Sequence, residues 1–534
     1  MERENKKKKQ KKTSKLKQNA WIIGLVLILI LQVGVRIYAG TKKNYIHIDE
    51  GYSYGLMNYN KVEIMQNEDF YDHWHEGSYY KDYLTISKEE AKDLTPVYEN
   101  QKNDVHPPLF YLLLRIAASF TIGEFSIWTG ITLNIFIFIL SSLLVYAITY
   151  QLTKNRKMSL LTTLISGLTM ASIDTTMFIR MYALNALNLL ILAYWHVKYY
   201  EDEKLTWKEL LPLGIAAVIG SLTHYYYLIF LGIIYILYMI RYISKKNWKN
   251  VISYTITMIL AAVVSLLIFP YSFAHMFMGY RGQGAMDNLK HIETMWRSLG
   301  GYLGILNNSA FNGVLVFLII GILGIVAYKL IKNRKITIQI QNKKIWYIAI
   351  PTIIYFLLVA LVSPYIEVRY IIPVCPLFII LVFYLVKVVL EKIANTKIAM
   401  RILVGIFVVM LILPHVLHLP IKYLYTEWGA VVNRVSTQDN LPTIYLLNMN
   451  DNRFMDDLYL FSMINKSYQV DVEKCSVEHL KQIFSQVDTK DGVLVFIGAN
   501  IDNDKYIERV KQATNLKNSE FVEKMNACFI YKVY

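Results

Sequence analysis

Five short stretches of this 534-residue chain hold side chains whose types and neighbours could do chemistry together. Asp49 and Glu50 stand side by side in His-Ile-Asp-Glu-Gly-Tyr-Ser-Tyr-Gly. Adjacent carboxylates repel, and burial at a membrane surface raises the pKa of at least one of them, giving a general base or a group that positions an acceptor. An isolated Asp-Glu pair serves equally as a helix cap. In Asp104-Val-His106-Pro-Pro-Leu-Phe-Tyr two prolines fix the backbone and present His106 rigidly, although a plain helix start accounts for the prolines too. Phe178-Ile-Arg180-Met-Tyr182-Ala-Leu and Val368-Arg369-Tyr370-Ile-Ile-Pro each set a guanidinium beside a tyrosine. That pairing suits a phosphate in a partly dry interface, and it also suits anchoring at a membrane boundary. Thr223-His224-Tyr225-Tyr adds an imidazole and further phenols.

The elements that must position these groups are membrane helices. With 55% hydrophobic residues, 18% charged and a mean hydropathy of +0.33, the chain is too apolar for an ordinary soluble protein of its size. Its formal charge of +16 falls in short basic clusters between long apolar runs, as the positive-inside rule expects, so nucleic acid is set aside as a partner. The three cysteines, Cys375, Cys475 and Cys528, lack the paired spacing of a zinc or iron-sulfur site and are too few for a disulfide framework; a single Cys475 to Cys528 bridge stays open. Richness in Lys, Asn, Ile and Tyr is the composition of an AT-rich bacterial genome.

A lysine-rich tail over 1–19 precedes the first apolar run, 21–38, which reads as a retained anchor with its N-terminus in the cytoplasm rather than a cleaved signal. Residues 41–106 carry 13 Asp or Glu against 7 Lys and form a first extracytoplasmic loop. The segment 107–123 is short, holds Arg115 in its middle and is expected to lie re-entrant or interfacial. Spans then follow at 125–150, 158–174, 181–199, 209–222, 225–243, 250–270, 310–331, 345–363, 369–389 and 399–420. This makes eleven in all, and it puts every basic connection, Lys332 and Arg334 among them, on the inner side. Residues 421–534 read as a soluble extracytoplasmic α/β domain, with strands at 444–449, 493–498 and 528–533 and helices at 453–464, 477–486 and 505–512. In this topology Asp49, Glu50, His106, Asp174, Arg180, His224, Tyr225, Glu367 and Arg369 all sit at outer helix ends, the placement of one shared site.

In order, Asp-Glu after the first span, Asp-Val-His-Pro-Pro-Leu-Phe-Tyr, Arg-Met-Tyr-Ala-Leu, Thr-His-Tyr-Tyr and Arg-Tyr-Ile-Ile-Pro resemble the dolichyl-phosphate-mannose protein mannosyltransferase family and its bacterial relatives, within the GT-C glycosyltransferases. The likeness covers about 20–390, with His-Pro-Pro-Leu its most specific element, and it implies a GT-C-like polytopic helical fold. It also implies a sugar donor on a polyprenyl phosphate, a lipid tail entering between helices, and inverting transfer to an acceptor hydroxyl at the outer face of the cell membrane. Asp49 would be the general base and Glu50 would orient acceptor or donor. Arg369, with Arg180, His224 and Tyr370 as helpers, would stabilise the phosphate, and His106, Tyr182 and Tyr225 complete the donor site. No cofactor is required by this scheme; a divalent cation held by Glu50, His106 and His224 stays open. The acceptor is a glycan, lipid, cell-wall polymer or protein. Unlike the eukaryotic protein mannosyltransferases, the chain carries its extra domain at the C-terminus, which argues against protein mannosylation as such. The competing function is a lipid-linked saccharide flippase or transporter, which would need polar groups through the midplane, whereas here the charges crowd one face.

Overall fold

The computed structural model describes residues 2–58, 64–288, 290, 292–331, 342–393, 396–438, 440–449, 451–525 and 528–534. Lys332 and Arg334 lie outside these. The apolar runs form helices: α1 (Glu2–Gly40), α2 (Ile48–Leu56), α3 (Leu109–Ala118), α4 (Ile127–Thr153), α5 (Arg156–Gly167), α6 (Met170–Met177), α7 (Tyr182–Lys198), α8 (Trp207–Ser221), α9 (Tyr227–Ser244), α10 (Trp248–Ile268), α11 (Leu315–Ile331), α12 (Trp346–Val362), α13 (Cys375–Ile393) and α14 (Thr396–Val416). Among the described residues seven segments are long and apolar enough to cross a membrane: Asn19–Gly40, Ile127–Thr153, Tyr227–Ser244, Trp248–Ile268, Lys343–Val362, Val368–Glu391 and Lys397–Val416. Met295–Ala310 and Leu315–Ile325 make an eighth if a pair bent by 98° counts as one span.

Seven or eight, against the eleven expected, reflects three places where the helix is short. The run 158–174 is broken into α5 and α6, and α7 and α8 have 17 and 15 residues, the latter with Pro212 inside it. A span needs about 20. Helix α7 is short because it is interior: Leu189, Leu190, Leu192 and Ala193 are all fully buried, so its flanks meet other helices. Helix α3 has only 10 residues, roughly 15 Å of length, too little to cross. Its Arg115 is not directed at lipid but donates to the carbonyls of Met57, Asp93 and Glu90, tying α3 to the first outer loop.

The break between α5 and α6 has a visible cause. Arg36, wholly buried near the outer end of α1, donates from Nη1 to Gly167 O (2.9 Å) and Gln32 O (3.1 Å). Its Nη2 reaches Ser172 O and Oγ, and its Nε reaches Thr176 Oγ1 (3.0 Å). The guanidinium thus takes up a carbonyl left free at the end of α5, while Thr169 caps the start of α6.

Beyond the membrane helices, the strands β1 (Trp74–Glu76), β2 (Thr443–Leu447), β3 (Lys466–Asp471), β4 (Val493–Gly498), β5 (Ser519–Met525) and β6 (Cys528–Val533) form one sheet in the order β1-β3-β2-β4-β6-β5. β2 runs parallel to β3 and β4, and the other pairings are antiparallel. The period-2 alternation of β2 and β4 sends Ile444, Leu446, Val495 and Ile497 to one face, against α16 (Val477–Phe484) and α17 (Asn503–Thr514). Tyr445, Leu447 and Phe496 point the other way, onto α15 (Phe454–Phe461), where the core runs on continuously into the membrane helices. Cys475 belongs to the first face and Cys528 to the second; both are free and buried, so the bridge left open by the sequence is not formed.

One strand of this sheet, β1, comes from the first outer loop. Tyr80, just after it, bonds Ser467 Oγ (2.7 Å) and receives Gln469 Nε2 (2.6 Å), which explains how two polar residues of β3 stay buried. At Gly77 a Cβ would lie 2.8 Å from Ile464 O, so only glycine allows this approach.

On the α15 side of the sheet Asp457 is fully buried and receives the Tyr445 hydroxyl (2.6 Å). Burial pushes its carboxyl up to about 6, against partial relief from Tyr445 and Cys528. A raised carboxyl stabilises the fold fully below its unfolded pKa and loses that contribution as pH rises from about 4 through about 6. The full span is on the order of 3 kcal/mol. The thermal midpoint of wild type, relative to Asp457→Asn, is therefore expected to fall between pH 4 and pH 7; parallel curves for the two proteins would contradict this.

Candidate active site

Helix α2 is capped by His47, whose Nδ1 accepts from Asp49 N (3.0 Å) while Glu50 Oε2 accepts from His47 N (2.7 Å). This capping box fixes where the adjacent carboxylates point. Successive helical residues diverge by about 100°, so the two cannot share one target. Asp49 turns to a cavity of about 240 Å³, in which it is paired with Arg369. Glu50 turns inward: fully buried, it pairs with Lys43 (3.0 Å) and accepts from Ile179 N (2.9 Å). Glu50, expected to orient acceptor or donor, does not line this cavity.

The other eight residues singled out from the sequence do line it: Asp49, His106, Arg180, Tyr182, His224, Tyr225, Arg369 and Tyr370. Arg180 sits in the turn before α7 and donates to Ser53 Oγ (3.3 Å), with its Nε buried and unpartnered. Arg369 opens the helical segment Val368–Ile371, and its Nε is likewise buried without a partner. His106 gives its Nδ1 proton to Asp104 Oδ2 (2.8 Å), leaving Nε2 an acceptor. His224 is the reverse: its Nδ1 accepts from Tyr226 N (3.1 Å), so Nε2 carries the proton. The two imidazoles lie 6.2 Å apart, and Tyr182 lies 5.4 Å from His224 and 6.3 Å from Tyr370.

Burial, then His106 and Arg180, lowers His224 to about 3, and burial with help from Arg180 holds His106 below its ordinary value against Asp104, so both are neutral at physiological pH. Burial would raise Asp49, but Arg180 and Arg369 prevail and bring it to about 2. The polar part of the cavity lining therefore holds two guanidiniums, neutral imidazoles and phenols, and one ionised carboxylate. Val105, Met276, Phe277, Val362 and Pro364 give the same cavity an apolar part of its lining.

His275 and Tyr226 also line the cavity and were not singled out from the sequence. His275 accepts the Tyr225 hydroxyl at Nδ1 (2.9 Å) and donates from Nε2 to Lys102 O (3.2 Å), tethering the segment Ser272–Phe277 beside the cavity. The rule that polar groups gather at outer helix ends would have found it, five residues after Pro270 at the end of the 250–270 run. Glu50, His106 and His224 are not gathered as a ligand set, because Glu50 is turned to Lys43. Among the described residues no three or more His, Cys, Asp or Glu are placed to hold a metal ion.

No family model and no curated protein sequence matches the chain. The chain is similar to ArnT and AglB in solved structures. ArnT from Cupriavidus metallidurans, bound to undecaprenyl phosphate, shares 11% identity over 96% of this chain and 98% of its own, with a TM-score of 0.47. The archaeal oligosaccharyltransferase AglB from Archaeoglobus fulgidus, in complex with an inhibitory peptide and a dolichol-phosphate, shares 11% over 95% of this chain and 73% of its own, with a TM-score of 0.46. An Archaeoglobus fulgidus oligosaccharyltransferase in complex with Zn and sulfate shares 12% over 95% and 72%, with a TM-score of 0.48.

Proposed function

We propose that this chain is a GT-C-type glycosyltransferase of the cell membrane, with its N-terminus cytoplasmic and its C-terminal domain outside, that moves a sugar from a polyprenyl phosphate to an acceptor hydroxyl. The observation that carries the reading is the gathering of Asp49 with Arg369, its ion-pair partner, and Arg180 in one cavity that is also lined by apolar side chains. A phosphate fits between the guanidiniums, and the first units of an isoprenoid tail fit the apolar lining.

The steps balance. The acceptor hydroxyl gives its proton to the Asp49 carboxylate, its oxygen bonds the anomeric carbon, and the bond from that carbon to the phosphate oxygen breaks with inversion. Lipid monophosphate leaves, its new charge met by Arg180 and Arg369. His224 Nε2–H and the phenols of Tyr182 and Tyr370 are donors to phosphate or sugar oxygens, and His106 Nε2 and the Tyr225 oxygen, whose proton goes to His275, are acceptors for a sugar hydroxyl. No step is routed through a metal. Held at about 2 by its pairing, Asp49 is a poor base in the free protein. A phosphate that draws Arg369 away raises its basicity at the moment the donor is in place.

Reconstituted protein is offered polyprenyl-phosphate sugars with a membrane extract as acceptor, and release of polyprenyl phosphate is measured. Arg180→Gln and Arg369→Gln are each expected to lower kcat by roughly 10²- to 10³-fold, as loss of a phosphate-stabilising donor does. Turnover of no donor with any acceptor would refute the transfer, and carriage of the intact lipid-linked sugar between leaflets would favour a transporter instead.

A further inference from the structure

Lys43 lies three residues beyond the end of α1, and nothing in its sequence setting marks it out. In the structure it is the junction of three segments. Its side chain is fully buried, and its Nζ lies 3.0 Å from Glu50 Oε2 and donates to Tyr423 O (2.7 Å). Glu50 passes the connection on, because its other oxygen accepts from Ile179 N (2.9 Å). Asp49 and Arg180 are thus each one residue removed from the pair of groups that the Glu50 carboxylate joins.

The third segment is the strap 421–428, by which the chain leaves the membrane helices for the outer domain. Tyr423 N donates to Asp174 Oδ1 (3.0 Å), Leu424 O accepts from Asn44 N (2.9 Å), and the Tyr423 ring stacks at 4.0 Å on Phe178, two residues before Arg180. The Lys43 ammonium closes this arrangement from within. A buried ion pair with every oxygen of its carboxylate occupied has one geometry to adopt, and a bound ammonium leaves the carboxylate no other partner.

We propose that Lys43 is a positioning residue for the transfer, its buried ammonium locking Glu50 and the strap so that Asp49 and Arg180 keep a fixed spacing across the cavity. This rests on the transferase reading above. Lys43 touches neither donor nor acceptor, so its removal acts on the chemical step and not on donor capture. Displacement of a reacting group by about 1 Å costs on the order of 100-fold in rate.

The test uses the full-length protein in liposomes with a polyprenyl-phosphate sugar that wild type turns over. Removing one charge alone leaves the other buried, so the variant of choice is Lys43→Met together with Glu50→Gln, which keeps the site neutral. It is expected to lose roughly 100-fold in kcat with KM for the donor within about threefold. Its kcat/KM should also fail at higher pH on the acid side, because Asp49 loses the close guanidinium that keeps it ionised. A kcat within about twofold of wild type, or a loss carried by KM alone, overturns the proposal. Should this variant not purify as a folded protein, Glu50→Gln alone, which keeps size and shape and leaves Lys43 its Tyr423 carbonyl, is measured for the same split. Wild type inactive with every donor refutes the transferase reading, whereas an active wild type beside an unimpaired variant refutes only the role of Lys43.

Discussion

Asp49→Asn is expected to lower kcat by about 10³-fold while polyprenyl phosphate binds at least as tightly as to wild type. The two halves come from one geometry. The carboxylate is the only ionised acceptor among the cavity-lining residues, so its amide has no means of taking the acceptor proton. The same carboxylate holds Arg369, and a lipid phosphate must displace it. The neutral amide competes less for that guanidinium, so affinity for the product lipid is retained or rises. Undecaprenyl phosphate and dolichyl phosphate are suitable probes for the binding arm. If Asp49→Asn turns over donor like wild type, Asp49 is not the base; if it loses lipid-phosphate binding in parallel with kcat, the residue holds the site together and does no proton transfer.

Arg36→Met is expected to cost on the order of 3–5 kcal/mol of stability, the largest structural effect we foresee for a single side chain. Hydrogen bonds inside membrane proteins average about 0.6 kcal/mol, so five of them amount to about 3 kcal/mol, and the stacking of the guanidinium 3.1 Å over the Phe138 ring adds up to about 2 kcal/mol. Methionine fills much of the same volume and satisfies none of the acceptors at Gly167, Ser172 and Gln32. Arg36→Lys is expected to recover little, because three donors on one nitrogen cannot reach the groups that the planar fork spans. Chemical unfolding in detergent checks both. A Met variant within about 1 kcal/mol of wild type would mean that water enters and replaces the guanidinium.

Because charge and hydropathy follow local sequence, the long apolar runs were legible, and the eight residues that line the cavity were singled out by asking which polar groups sit at the same end of the helices. That Glu50 points away from Asp49 was not legible because sequence adjacency says nothing about direction until the helix start is known, and that start is set by a histidine cap, an uncommon choice. The break at Gly167 was hidden because its cause, Arg36, is distant in sequence and lies in a run that otherwise reads as an anchor. β3 was missed because Ser467 and Gln469 look solvent-facing, and only Tyr80 of the first loop makes them interior. β5 was missed because an exposed edge strand rich in Glu and Lys has no apolar alternation to read.

The strand lent by the first loop also has a bearing on how the molecule is made. Tyr80 and the serine it bonds are 387 residues apart, with all the helices from α3 to α14 threaded between them. A ribosome delivers the loop early and its partner strand late, so the loop must wait, edge unpaired, through most of synthesis. Chain closure of this length is slow and entropically costly. The side of Trp74–Glu76 that pairs with β3 therefore stays without its partner until the last part of the chain is made, and the sheet cannot be completed before then.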